Sequence, residues 1–189
     1  MLKKTKYSNI LVGAMSALET SQDRKIAALT INLMCTLFFG VKYMQNKYMN
    51  IAIKESIKAY KKGEVPVGCV IVKNDKVIAK SHNLKEKHNK VTSHAELLAI
   101  NKASKKLKNW RLNDCDIYIT LQPCPMCSSA IKQSRIRNIY YILDNKNNEI
   151  SNEILQKTDI NKKIMKIEKV NNDSYKKTIE TFFKKQRNK

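Results

Sequence analysis

Glycine and proline are scarce, with 4 and 3 among 189 residues. That leaves little room for long flexible linkers, and no segment of the chain repeats itself. Arginine is scarce as well. Of 37 basic residues only five are Arg (Arg24, Arg111, Arg135, Arg137 and Arg187), while acids number 16, so the formal net charge is +21. Such a charge favours a polyanion such as RNA or DNA, because neutralising phosphates releases counterions. Lys, Asn and Ile are enriched throughout, however, and A/T-rich codons favour all three. Charge alone therefore leaves codon bias as an equal explanation. The five cysteines (Cys35, Cys69, Cys115, Cys124 and Cys127) are an odd number without regular spacing. They make a poor disulfide framework and fit a reducing compartment.

A long apolar run is also lacking. A membrane-spanning helix needs ~20 predominantly apolar residues, and Ile26–Val41 offers 16, interrupted by Thr30, Asn32 and Thr36. A second apolar stretch, Ile10–Leu18, precedes it. Glu19 and Asp23 are the only acids between Leu2 and Lys42, and no convincing small-residue signal cleavage site precedes Lys42. Residues 1–43 are therefore expected to be an N-terminal extension of one of three kinds. It is a targeting or anchoring leader, an extra packed helix, or sequence upstream of the true start, with Met44 and Met49 placed where a compact domain can begin. What remains, 44–189, has room for one domain with a sizeable core. Hydrophobic content of 42% and charged content of 28% over the chain are ordinary for a soluble globular protein.

Within that domain Met49, Ile53, Ile57 and Tyr60 recur at helical spacing, which predicts an amphipathic helix over about 44–62 that Gly63 stops. "VGCVIV" (67–72) reads as a buried strand and "KVIAK" (76–80) as its partner, joined through Asn74-Asp75 in a tight hairpin. A helix is expected from about His94 to Leu107, a strand at "DIYITL" (116–121), a helix over about Pro125–Ser134 and a strand at "NIYYIL" (138–143). A short helix near 151–157, a strand at 164–168 and a last helix from about Ser174 complete the pattern. Helices alternating with strands predict an α/β layered domain with helices on both sheet faces.

The densest chemistry lies in "QPCPMC" (122–127). Pro125 suits the first turn of a helix, which places Cys124 at the helix start and Cys127 one turn on, on the same face. Unpaired backbone N–H groups at a helix start favour thiolate over thiol. Thiolates are what zinc binds, but a redox pair of the thioredoxin type would occupy the same place. "SHAELLAI" (93–100) tips the balance towards metal. His94 lies 30 residues ahead of Cys124, and one His with two Cys makes three ligands of the kind zinc prefers. Three protein ligands leave a fourth position for water, as catalytic zinc sites do. Zinc lowers the pKa of such a water to roughly 7, and Glu96, two residues from His94, is placed to carry its proton. Singly these residues have plainer explanations. Ser93-x-x-Glu96 also fits a capping box, and a lone histidine is more often a buried core residue than a ligand.

H-A-E in "TSHAELLAI" (92–100), followed by P-C-x-x-C in "RLNDCDIYITLQPCPMC" (111–127), resembles the signature of the zinc-dependent cytidine deaminase-like superfamily. Within it the chain is similar to the tRNA-specific adenosine deaminases, which convert the wobble adenosine to inosine. That similarity runs from about Met49 to Arg187. "GEVPVGCVIV" (63–72) resembles that family's first hairpin strand, and "TIETFFKKQR" (178–187) its last helix. The resemblance implies a three-layer α/β/α fold around a mixed sheet of roughly five strands. It implies Zn2+ held by His94, Cys124 and Cys127, with Glu96 carrying protons from water to the base and the leaving ammonia. It further implies that Asn83 contacts the target nucleoside, that Lys146 lies near the RNA backbone, and that Phe182 and Phe183 close the pocket. The partners implied are the anticodon stem-loop of tRNA and a second copy of the chain, with no membrane partner for the catalytic domain. The compartment implied is the cytoplasm, or an organelle or membrane surface if 1–43 is a leader.

The chain also departs from the family. Gln122 stands where the family has Glu, the loop at 84–91 lacks an Asp-Pro, and "DNKNNE" (144–149) lacks glycines. Cys69 and Cys115 match no ligand and are expected to be buried thiols. The alternatives are a zinc deaminase of free bases or nucleotides (cytosine, guanine or deoxycytidylate), a thioredoxin-like redox protein, and a non-catalytic zinc module.

Overall fold

The structure, a computed structural model, describes residues 47–145, 148–156, 166–170 and 172–187. The chain divides into two compact units, Met1–Met44 and Gln45–Lys189. The first lies outside the described residues, as do the expectations for 1–43.

In the second unit a helix over residues 47–61, α1, ends at Gly63. Gly63 takes φ +75°, its N–H donates to Tyr60 O, and the Glu64 N–H donates back to Ala59 O. This is a Schellman cap, which requires a left-handed residue that glycine supplies without strain. Two antiparallel strands follow, β1 (Gly68–Lys73) and β2 (Lys76–His82). Asn74 and Asp75 between them both have positive φ, the type I′ geometry that matches strand twist. A short helix α2 (Lys85–His88) lies in the following loop, where the sequence predicted only a polar connection. Then come α3 (Ala95–Leu107), β3 (Cys115–Leu121), α4 (Pro125–Gln133), β4 (Asn138–Leu143), α5 (Asn148–Gln156), β5 (Lys166–Lys169) and α6 (Asp173–Arg187).

The strands form one mixed sheet in the order β2-β1-β3-β4-β5. β1 pairs antiparallel with β2 and β3, whereas β3, β4 and β5 run parallel. Because successive residues of a strand face opposite sides, β3 serves two cores. Ile117 and Ile119 join Cys69, Ile71 and Ile139 beneath Ala95, Ala99 and Ala103 of α3 and Ile131 of α4. Tyr118 faces the other way, 5.2 Å from the Tyr48 ring of α1 and stacked at 4.6 Å on Tyr140. On that side Tyr175 of α6 is also fully buried, its hydroxyl donating to Pro66 O. Both faces are covered by helices, giving the three layers expected. Cys69 and Cys115 are buried free thiols, as the sequence predicted. Among the described residues no helix is long and apolar enough to cross a membrane.

The parallel pair β3 and β4 positions the chemistry. Their carboxyl ends lead to Cys124 and Asn145 at one edge of the sheet, the place where open α/β sheets bind ligands.

Candidate active site

Two helix starts converge there. His94 is the extended N-cap of α3 and Cys124 that of α4, with Pro125 in its first turn. Both donors thus sit at helix starts, where backbone N–H groups lack intrahelical partners. His94 Nδ1 lies 3.7 Å from Cys124 Sγ and 3.5 Å from Cys127 Sγ. All three donor atoms fall within 4.8 Å of one another. Zinc bonds of about 2.3 Å to sulfur and 2.0 Å to nitrogen at tetrahedral angles place donors roughly 3.5–3.8 Å apart, so the set fits a zinc ion.

The protons on these groups support that fit. A hydrogen bond from Cys127, assisted by those with His94 and the Cys127 backbone N–H, brings the Cys124 thiol down to about 4. Its partner thiol Cys127, on the donating side of that bond and buried, is pushed well above the usual range. His94 is raised, chiefly by its hydrogen bond with Cys124. One thiolate thus stands ready, and metal binding would displace the remaining protons.

Glu96 occupies the first turn of α3, is only 4% exposed, and has its carboxyl raised by burial. The capping box that Ser93-x-x-Glu96 allowed is not formed. The N-cap is His94, and the buried Ser93 hydroxyl instead bonds His88 Nδ1 at 3.1 Å. Glu96 is thereby left facing a cavity of about 180 Å³, which Val65, Val67, Asn83, His94, Gln122 and Cys124 also line.

The remaining expected contacts are distributed unevenly. Asn83 lines the cavity, 6% exposed. Phe182 is buried, its ring edge-on to Tyr60 of α1, and Phe183 beside it is 46% exposed. Neither Phe is among the residues that line the cavity. Lys146 lies outside the described residues. Gln122 is buried, and both its polar atoms are bonded. Its Nε2 donates to Asn152 Oδ1 at 2.7 Å, and its Oε1 accepts the Asn145 N–H at 3.1 Å. The neutral amide thus ties α5 to the loop leaving β4, with Asn152 supplying the acceptor that a second carboxylate oxygen could not use.

Sequence reasoning missed Glu64. It is completely buried, and its carboxylate accepts Asn83 Nδ2 (3.2 Å), the Glu86 N–H (3.2 Å) and the Lys87 N–H (2.8 Å). It lies within the family-like stretch "GEVPVGCVIV" (63–72), but its bonds were not legible there, because every one of its partners lies about twenty residues away.

The family model for the cytidine and deoxycytidylate deaminase zinc-binding region matches residues 42–143. The chain belongs to that family. The family's zinc-binding triad here is His94, Cys124 and Cys127, and membership removes the thioredoxin-like alternative. The chain is 48% identical over 94 residues to the tRNA-specific adenosine deaminase of Bacillus subtilis (strain 168), a match covering 50% of this chain and 58% of that protein. It is 38% identical over 144 residues to the tRNA-specific adenosine deaminase of Aquifex aeolicus (strain VF5), covering 75% of this chain and 95% of that one. Among solved structures, one from a study of A-to-I editing by tRNA:A34 deaminases superposes with a TM-score of 0.52 at 41% identity, over 53% of this chain and 77% of that one.

Proposed function

We propose that this protein hydrolyses adenosine to inosine in tRNA, at the wobble position. The observation that carries the proposal is the similarity to the Aquifex aeolicus deaminase over nearly that protein's whole length, in a chain whose donors and buried acid meet at one cavity. When bound, the metal acidifies a water. Glu96 would take one proton of that water on its carboxylate and pass it to the adenine ring nitrogen as the C6–O bond forms, then carry the proton of the new C6 hydroxyl to the amino group, which leaves as ammonia when the C6–N bond breaks. Burial suits Glu96 to this task, since a carboxyl raised from its ordinary value by desolvation is a stronger proton acceptor than an exposed one. Asn83 holds the base from the cavity wall. Phe183 is the member of its pair open to RNA, and Lys146 is assigned to the RNA backbone. The deaminase domain comprises 44–189, acts as a homodimer, and works in the cytoplasm.

Incubating the zinc-loaded full chain with a total tRNA pool, followed by sequencing for adenosine positions read as guanosine, tests this. Conversion confined to wobble adenosines is expected. Turnover of free guanine, cytosine or deoxycytidylate without any tRNA conversion would establish the small-molecule alternative instead.

A further inference from the structure

Asn83 has two different hydrogen-bonding ends. Its amide oxygen accepts and its NH₂ donates, so a base on the cavity side meets opposite chemistry if the amide is turned over. Nothing in the loop around Asn83 decides between the two. Its own N–H is spent on Val67 O, and the next residue, Leu84, donates to Ser93 O. The side chain is decided from behind. Glu64 presents a carboxylate to it at 3.2 Å, and a carboxylate can only accept, so the atom facing Glu64 has to be Nδ2. That leaves Oδ1 and the second N–H of Asn83 for the cavity that it lines.

Glu64 is itself held rigidly. Its other hydrogen bonds come from the backbone N–H groups of Glu86 and Lys87, in the first turn of α2. The N-cap residue of that helix, Leu84, has no side chain able to cap. Glu64 therefore supplies a cap from a distance and cannot swing away from Asn83 without unsatisfying two N–H groups. It is 0% exposed, beyond the reach of any substrate.

We propose that Glu64 is a positioning residue for base recognition, fixing which end of the Asn83 amide faces the substrate. The proposal rests on the assignment of Asn83 to the base. Glu64→Gln turns the amide over, and a cycle with Asn83→Ala separates that from any loosening of α2. The Lys87 N–H holds Oε1 at 2.8 Å, whereas Oε2 takes both Asn83 Nδ2 and the Glu86 N–H at 3.2 Å. The new side chain therefore keeps its oxygen on the closer Lys87 N–H and turns its NH₂ towards Asn83, releasing the Glu86 N–H. Asn83 then answers with Oδ1 and rotates Nδ2 into the cavity.

The test is a double-mutant cycle on the zinc-loaded full chain, with single-turnover deamination of an adenosine-34 tRNA as the readout and zinc content as the control. Glu64→Gln is expected to lower kcat/KM about tenfold with full zinc, and to have no further effect in an Asn83→Ala background. An equal loss in both backgrounds would overturn the proposal, leaving Glu64 as a loop support only. If Asn83→Ala alone leaves kcat/KM unchanged, the assignment of Asn83 to the base fails, a different outcome from the first. Should Glu64→Gln not fold, Asn83→Asp carries the test. It sets two acceptors against each other and should be slower than Asn83→Ala, and equal rates for the two would overturn the proposal.

Discussion

Glu96, the proposed proton carrier, is separated from a helix cap by its burial and position. Two residues after a metal donor, it lies in a first turn where carboxylates are favoured for purely local reasons, yet its surroundings are a cavity and two thiols. Glu96→Gln retains the shape and cannot carry a proton. It should fold, bind zinc stoichiometrically and lose roughly 10²–10⁴-fold in rate, as measured by metal analysis beside single-turnover kinetics. The donors make a second prediction. Cys124 is ionised from about pH 4 upwards, whereas Cys127 and His94 hold their protons more tightly than usual. Zinc must displace those protons, so the apparent zinc affinity should climb steadily from pH 6 to pH 8, a window in which Cys124 no longer titrates. Competition against a chromophoric chelator reads this directly, and a flat profile would show the thiols to be already ionised.

The elements behave largely as their periodicities dictate, and the exceptions have tertiary causes. β4 spans Asn138–Leu143, where "NIYYIL" placed it, because a strand buried on both faces is a continuous apolar run between polar ends. The Asn74-Asp75 hairpin was legible for an equally local reason, since both residue types tolerate positive φ. α2 was not legible. Its four residues carry no apolar face, and its first turn is capped by Glu64, which the sequence places two elements earlier. Gly68 is another position whose meaning is tertiary. A Cβ built there would lie 2.0 Å from Ala52 O and 2.5 Å from the Ser56 N of α1, both backbone atoms that cannot step aside. Gly68→Ala should therefore push α1 off the sheet and destabilise the protein by about 3 kcal/mol or more, the upper end of overpacking. Urea unfolding measures it, and a change below ~1 kcal/mol would mean that α1 slides without penalty.

At the scale of the whole molecule the charge and the N-terminal extension carry the remaining predictions. If lysines meet phosphates, tRNA affinity falls linearly with log salt at about −0.7 per neutralised phosphate for single-stranded segments. A slope of zero in filter binding would assign the +21 to codon usage. A chain beginning at Met44 should match the full-length protein in zinc content and deamination rate, and loss of either would place 1–43 within the working domain. The sequence by itself determined the α/β class, nearly every strand and helix, and the metal donors. These depend on periodicity and on short motifs whose spacing is set by one helical turn. It could not determine that α3 and α4 bring His94 to 3.5 Å from Cys127, that Glu96 stands free of a capping box, or that Gln122 and Glu64 brace the cavity. Apart from the capping box, which Ser93 forgoes by bonding His88, those facts are pairings between residues some twenty to thirty positions apart. Only the packing of helices against both sheet faces brings such residues within hydrogen-bonding range, and so only the tertiary structure decided them.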